Sequence, residues 1–298
     1  MLYNCFRIDN DMVYSIDYFQ IDFGLGLLSD NVLSLLFGSF DFEKIRYFGV
    51  LDCNSGVKHF SKYDLHWWQF GGFHVEVWPC SDSSKLVHWF LRMKFNPNKN
   101  FCNPALINVF RFLLRCGWVN GWHFSRVDYS LDVQGPLSAF YVLSRKTETN
   151  YGSTRYYGVR GSSGYLRVYD KRLEQKEKAG EDIGFELTRF EWEQRGNRDL
   201  DFTFDVFSRM DFSCLDGATR VLRYVSPEFI NQAINEFSPN YRSKLKKKLF
   251  SPITVKKELF FDLLDDYINL YSLSGLRAFT DSQLFEMYND VPLTFNFL

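Results

Sequence analysis

The chain has 298 residues, 46% hydrophobic and 19% aromatic, with 35 Lys and Arg against 36 Asp and Glu for a formal charge of −1. That length and apolar content allow one large domain, or one domain with an appendage, around a substantial core. The near-zero charge excludes a global basic field that would attract nucleic acid, and leaves that task to a local patch.

The six cysteines (Cys5, Cys53, Cys80, Cys102, Cys116, Cys214) form no CxxC pair and read as reduced thiols of a cytoplasmic protein. The first ten residues show no signal-peptide pattern. The greasiest windows, Leu25–Leu36 and Ile107–Val119, are broken by Asp30 and by Arg111 and Arg115. Both fall short of the roughly 20 apolar residues a membrane span needs, so no membrane partner is expected.

In chain order, Val13–Phe23 reads as a strand rich in Tyr, Ile and Phe. Ser29 or Asp30 can cap a helix carrying Leu33, Leu36 and Phe37 at helical spacing. Strand-like stretches between Lys44 and Trp78, divided by Asp52–Gly56 and Gly71-Gly72, predict hairpins. Asn103-Pro104 opens an amphipathic helix with Leu106, Val109, Phe110, Leu113 and Leu114, stopped by Gly117. Three motif strands follow: Ser125–Val133, Tyr165–Lys171 and Phe185–Arg195. Thr154–Val159 pairs with the second of these across the turn Arg160–Gly164. Glu174–Glu181 is a polar helical excursion or loop. Beyond about Leu200 the texture turns helical, with a start at Pro227, a basic run Arg242–Lys248 and a helix over Lys256–Ser272. Ile16-Asp17-Tyr18 and Val127-Asp128-Tyr129 hint at two related halves.

Alternation along the motif strands puts Arg126, Asp128, Ser130 and Asp132 on one face of the first. It groups Arg167, Tyr169 and Lys171 on the second, and Arg189, Glu191 and Glu193 on the third. Any one such face is what a half-buried antiparallel strand turns to water. Three together, with carboxylates opposing Arg, Lys and Tyr, read as an assembled polar site. Positions two apart on a strand lie roughly 6.7 Å apart and four apart roughly 13 Å. Glu191 and Glu193 are therefore expected to converge on one metal ion, joined by Asp128 first and Asp132 second. An all-oxygen set suits Mg²⁺ or Mn²⁺, which would polarise a scissile phosphate. Tyr169 is the candidate nucleophile, its deprotonation helped by Lys171, Arg167 or the metal.

His59, His66, His74, His88 and His123 form no H-x-H pair, and His74 and His123 read as structural rather than as a lone ligand or base. No GK[ST] follows the glycines of Arg160–Gly164, which excludes a phosphate-binding ATPase loop. Arg242, Lys244, Lys246, Lys247 and Lys248 make the densest basic cluster. It is either a solvated helix face or a phosphate-contacting surface whose binding weakens with salt. Arg160 is a further candidate DNA contact.

Four segments together resemble the Rep_trans family of rolling-circle replication initiators and the related MobT relaxases. They are Ser125-Arg126-Val127-Asp128 with Asp132; Tyr156-Tyr157-Gly158-Val159-Arg160-Gly161-Ser162; Arg167-Val168-Tyr169-Asp170-Lys171; and Thr188-Arg189-Phe190-Glu191. Ser15-Ile16-Asp17-Tyr18 is similar to that family's opening strand. The resemblance implies a DNA nick by a tyrosine, giving a 5′-phosphotyrosine and a free 3′-OH, with an acidic metal site. Its place in R-x-Y-x-K assigns the nucleophile to Tyr169, with Tyr157 and Tyr165 as competitors. Origin DNA, single-stranded or hairpin at the nick, and a host helicase are the implied partners. A homodimer is left open.

The expected fold is α+β: an antiparallel-sheet nicking domain over residues 1–200 and a mainly helical region over 201–298. The expected function is rolling-circle initiation for a plasmid or phage. Alternatives are a conjugative relaxase of the same chemistry, a non-catalytic DNA-binding regulator, and a metal-dependent hydrolase acting through water.

Overall fold

Long strands that alternate large apolar with polar residues build one antiparallel sheet with a greasy face and a charged face. The computed structural model describes residues 6–39, 53–60, 64–81, 87–101, 103–115, 117, 119–143, 146–162, 164–196, 206–213, 215–225 and 227–275. Its strands are β1 (Phe6–Asp9), β2 (Met12–Gly26), β3 (Cys53–His59), β4 (Asp64–Phe70), β5 (Phe73–Ser81), β6 (Val87–Phe95) and β7 (Gly121–Gln134). They continue as β8 (Phe140–Leu143), β9 (Glu148–Tyr151), β10 (Thr154–Tyr157), β11 (Tyr165–Asp170), β12 (Leu187–Arg195), β13 (Val206–Met210) and β14 (Phe250–Ile253). The helices are α1 (Asp30–Ser39), α2 (Pro104–Arg115), α3 (Lys171–Ala179), α4 (Pro227–Asn235), α5 (Pro239–Leu249) and α6 (Lys257–Leu270). The protein is α+β.

Eleven strands join in the order β3-β4-β5-β6-β2-β7-β12-β11-β10-β9, with β1 beside β2. The expected motif strands are β7, β12 and β11, which lie side by side. The expected hairpins are β3–β4–β5, while residues 44–52 lie outside the described residues. Ser29 is the cap of α1, its hydroxyl accepting from Val32 N at 3.4 Å. Asn103 caps α2 in the same way, accepting from Ala105 N at 3.0 Å.

One sheet face is the core. Tyr14, Ile16, Phe19, Ile21 and Phe23 of β2 are fully buried on it. Helix α2 contributes Leu106, Val109, Phe110 and Leu113. Helix α6 brings Phe260 to 5.0 Å from the Tyr14 ring and Tyr267 to 5.3 Å from Phe19. The chain after residue 205 thus supplies part of the main core. It also adds β13, which pairs with β8 on one side and β14 on the other in a second, three-stranded sheet. That sheet packs on the apolar face, where Phe207 stacks on Phe190 at 4.0 Å. A smaller core of Leu222, Ile230, Ile234, Leu245 and Leu249 holds α4 and α5 together. The expected boundary at residue 200 falls among residues 197–205, outside the described ones.

The large sheet has an approximate two-fold axis normal to it. Outward from β2 run β6, β5, β4 and β3; outward from β7 run β12, β11, β10 and β9. Bulges at Asp17 in β2 and at Ser125 in β7 flank the paired residues Phe19 and Val127 symmetrically. The two-fold maps Gln20 onto Asp128, Lys94 onto Glu193, Glu76 onto Arg167 and Trp78 onto Tyr169. The two halves hinted at by the sequence echo are therefore real. The echoed triplets are not the equivalent residues, because Asp17 matches Ser125.

In the first half the polar face is tied up by ion pairs. Arg92 grips fully buried Asp22 through two bonds of 2.6 Å, and Lys94 donates to Glu76 at 2.6 Å. Burial works against the Glu76 carboxylate, but the His74 hydrogen bond and the Lys94 ammonium hold its pKa down to about 2. Burial also pulls Lys94 below an ordinary lysine, so the carboxylate side of the pair carries the stabilisation. A depressed carboxylate stabilises the fold above its unfolded pKa and loses that effect as pH falls through its folded one. Glu76→Gln is expected to cost on the order of 3 kcal/mol near neutral pH. Thermal unfolding of both proteins, followed down from neutral pH, should show the gap closing between about pH 4.5 and about pH 2. A gap independent of pH would refute the assignment.

Candidate active site

The motif residues meet because β7, β12 and β11 are hydrogen-bonded neighbours with a register that aligns their polar positions in rows. One row is Tyr18, Asp128, Glu193 and Tyr165; the next is Ser15, Ser130, Glu191 and Arg167; the third joins Asp132, Arg189 and Tyr169. Above them opens a cleft of about 750 Å³ whose lining includes Asp17, Arg126, Arg167, Tyr169, Arg189 and Glu191. One wall is α3; the other is the turn carrying Asn96, Asn98 and Lys99.

Tyr169 lies on the floor, 9% exposed, and its hydroxyl donates to Glu191 Oε2 at 3.3 Å. Burial pushes its phenol well above the ordinary tyrosine range, against the pull of Arg189. Lys171 is not on the strand as expected. Asp170 caps α3 by accepting from Leu173 N at 2.9 Å, so the helix begins at Lys171. From there the Lys171 ammonium still reaches to 5.9 Å from the Tyr169 ring centre, while ion-paired to Glu174 at 2.5 Å.

Arginines divide the carboxylates. Arg126 grips both oxygens of Asp128, at 2.7 and 2.6 Å, and also reaches Glu193 at 3.0 Å, which Arg195 holds from the other side. Arg189 grips both oxygens of Asp132 at 2.6 Å and pairs with Asp17. Arg167 pairs with Glu191. Glu191 and Glu193, expected to converge, thus belong to different ion pairs. Burial raises the Asp128 pKa in spite of the Arg126 fork. Burial also opposes charge on Arg189, but Asp132 and Asp17 hold its guanidinium firmly protonated.

Carboxylate oxygens are the right donors for Mg²⁺ or Mn²⁺. Here, though, the four proposed ligands Asp128, Asp132, Glu191 and Glu193 each accept from a guanidinium. Among the described residues no three His, Cys, Asp or Glu side chains converge as an ion would require. The donor set in this arrangement does not fit a divalent ion.

Asp17 belongs to the site and was absent from the expected set. Strict alternation would place it on the same face as Phe19. The bulge turns Asp17 and Tyr18 together into the cleft, where Asn98 donates to Asp17 at 2.9 Å and Arg126 covers the Tyr18 ring at 4.6 Å. Its sequence signals were the Ile-Asp-Tyr echo and the likeness of Ser15–Tyr18 to the family's opening strand. Ser130 Oγ, fully buried on the same face, has no hydrogen-bond partner among the described residues. His74 and His123 lie in the first-half ion-pair layer, bonded at 3.1 Å to Glu76 and 3.8 Å from Asp22 respectively.

The expected basic surface is thinned by its own fold. Arg242 caps α4, donating to Asn235 O at 2.7 Å and Phe237 O at 3.2 Å. Lys248 pairs with Asp216 at 3.0 Å, and Lys246 sits 5.9 Å from the Tyr141 ring. Lys244 and Lys247 point to solvent from α5, and Arg160 is exposed in its turn. Helix α5 belongs to the layer behind the sheet, across from Tyr169. Among the described residues no helix is long and apolar enough to cross a membrane.

Two proteins of Staphylococcus aureus, each named Replication initiation protein, are similar to this chain. One is 32% identical over 131 residues, covering 40% of this chain and 39% of its own length. The other is 31% identical over 131 residues with the same coverage. The chain thus spans about two-fifths of the length of these relatives. No protein-family model matches it.

Proposed function

We propose that the chain initiates rolling-circle DNA replication by nicking one strand of its origin with Tyr169. The observation that carries this reading is a tyrosine hydroxyl on the floor of a cleft lined by three guanidinium groups, Arg126, Arg167 and Arg189. Guanidinium forks match phosphate as well as they match carboxylate. Each is paired with a carboxylate, so a phosphate would compete for guanidinium forks already held in place rather than meet a net positive site. The similarity to proteins named Replication initiation protein supports the biological setting.

In this reading a flexible single strand enters between α3 and the Asn96–Lys99 turn. The arginines orient the scissile phosphate over Tyr169 and neutralise charge as the phenol oxygen attacks. The 5′ phosphate stays on the protein and a 3′-OH is released. Joining is the reverse.

The test incubates supercoiled DNA carrying the chain's own coding region and flanks with the protein and Mg²⁺ or Mn²⁺. Denatured protein–DNA adducts are then digested and the labelled peptide sequenced. The label is expected on Tyr169. Origin binding without any adduct would leave a regulator, and nicking without an adduct would leave a water-using hydrolase.

Helix α5 then meets a different stretch of DNA from the one in the cleft. Replacing Lys244 and Lys247 together by alanine is expected to weaken DNA binding and to reduce the slope of log affinity against log salt by about 2. Adduct formation at saturating DNA should not change. An unaltered slope would mean that this face is merely solvated.

A further inference from the structure

We propose that Tyr156 and Tyr151 form a track on which bases of the single strand stack between the nucleophile and the sheet edge. The inference rests on the nicking reading above and adds a base-binding subsite to it.

Strand register builds the track. Tyr156 pairs with Arg167 across β10 and β11, so its ring shares the cleft face, while its neighbour Tyr157 is buried on the core side. Tyr151 pairs with Thr154, which itself pairs with Tyr169, so β9 carries Tyr151 on that same face. Tyr165, two residues before Arg167, completes a diagonal of tyrosines with one on each of β11, β10 and β9. Diagonal neighbours on adjacent strands lie roughly 7–8 Å apart, within reach of aromatic rings. Tyr156 is also the diagonal neighbour of Tyr169, so a base upon it adjoins the reacting phosphate.

Exposure rises along the diagonal. Tyr165 is 7% exposed, Tyr156 is half-buried in the cleft lining, and Tyr151 is 82% exposed at the rim. The Tyr156 and Tyr165 rings are stacked, with 6.1 Å between centres and 16° between planes. The buried ring is thus a back wall that fixes the plane of Tyr156. Arg167 stands beside it on the cleft face, and Arg160 is exposed in the turn that follows β10.

Aromatic rings beside guanidinium groups in an open cleft are the parts that hold single-stranded nucleic acid, because every base offers a π-face. A duplex hides those faces within its own stack. The remaining cleft tyrosines are otherwise placed. Tyr169 lies on the floor as the proposed nucleophile. Tyr18 lies on β2, three strands from β11, with Arg126 over its ring at 4.6 Å.

The experiment measures binding by fluorescence anisotropy to a single-stranded oligonucleotide spanning the mapped nick. All proteins carry Tyr169→Phe, so that the strand stays intact. Tyr156→Leu is expected to weaken binding by roughly 10- to 100-fold, the scale of one lost base–aromatic stack. Tyr151→Leu, which removes a more exposed ring with no back wall, should cost about fivefold. Tyr156→Phe keeps the ring and should recover most of the Leu loss, which separates stacking from misfolding. Single abasic nucleotides are then placed at each position around the nick. One position beside the nick should weaken binding when Tyr156 is present and have little effect in Tyr156→Leu. The position that couples to Tyr151 should lie farther from the nick on the same side.

Losses that add at every position would overturn the track, as would a Tyr156→Leu protein that binds like its parent. Coupled positions on opposite sides of the nick would also refute it. A Phe variant as weak as the Leu variant would move the contact to the hydroxyl and exclude stacking. A second measurement needs no nick: a single strand carrying iodouracil, irradiated with the wild-type protein, should crosslink to Tyr156 or Tyr151. Crosslinks confined to other residues would overturn the proposal. Absence of any covalent adduct from the wild-type protein would bring down the nicking assignment instead, and the crosslink would still decide the track.

Discussion

Tyr169→Phe is expected to abolish the covalent protein–DNA adduct, by at least ~10³-fold, while leaving the fold and DNA binding close to wild type. The change deletes one oxygen and keeps the ring that Lys171 approaches at 5.9 Å. Glu191 retains its ion pair with Arg167, so the loss amounts to one hydrogen bond to a carboxylate, roughly 1.5–3 kcal/mol. Stability and chemistry are thus decoupled at this position. Denaturing gels of the two proteins on the same supercoiled DNA, with thermal unfolding as a control, make the comparison. Adducts of equal yield in the Phe protein would move the nucleophile to another tyrosine. Tyr156 and Tyr18, which also line the cleft, would then be examined first, followed by Tyr165 beside them.

Arg189→Met is expected to be the most destabilising single change in the site. The side chain is 11% exposed and neutralises two carboxylates at once, Asp132 at 13% and Asp17 at 17%. Removing it strands two negative charges in a poorly solvated layer, which costs roughly 3–5 kcal/mol. For a chain of this size that lowers the unfolding midpoint by on the order of 10 °C. Adding Asp17→Asn and Asp132→Asn to the same protein should recover much of the loss, because neutral amides need no counter-charge. A midpoint within about 2 °C of wild type for the single variant would show that water, rather than Arg189, solvates the pair.

The three motif strands were legible because burial on one side forces a period of two. Val127, Leu131 and Val133, then Leu166 and Val168, then Phe190 and Trp192, all face the core, so their charged neighbours had to share the other side. Helix α2 was legible from its apolar spacing and its Asn103 cap. Lys171 was misplaced because strand periodicity was carried one residue too far, past the Asp170 cap that starts α3. The basic run around Lys244 looked like a uniform patch because charge counts do not reveal that Arg242 caps α4 or that Lys248 pairs with Asp216.

Sequence alone determined the face on which Tyr169 stands, its carboxylate and guanidinium company, and the antiparallel class of the sheet. All three follow from local alternation. Only the tertiary structure decided which carboxylate meets which arginine, since that depends on the register between strands distant in the chain. It alone showed that a bulge brings Asp17 into the cleft, that the first half mirrors the second with Trp78 in place of Tyr169, and that β8, β13 and β14 join into one small sheet. These are contacts between segments far apart in the chain, and a period of two carries no information about them.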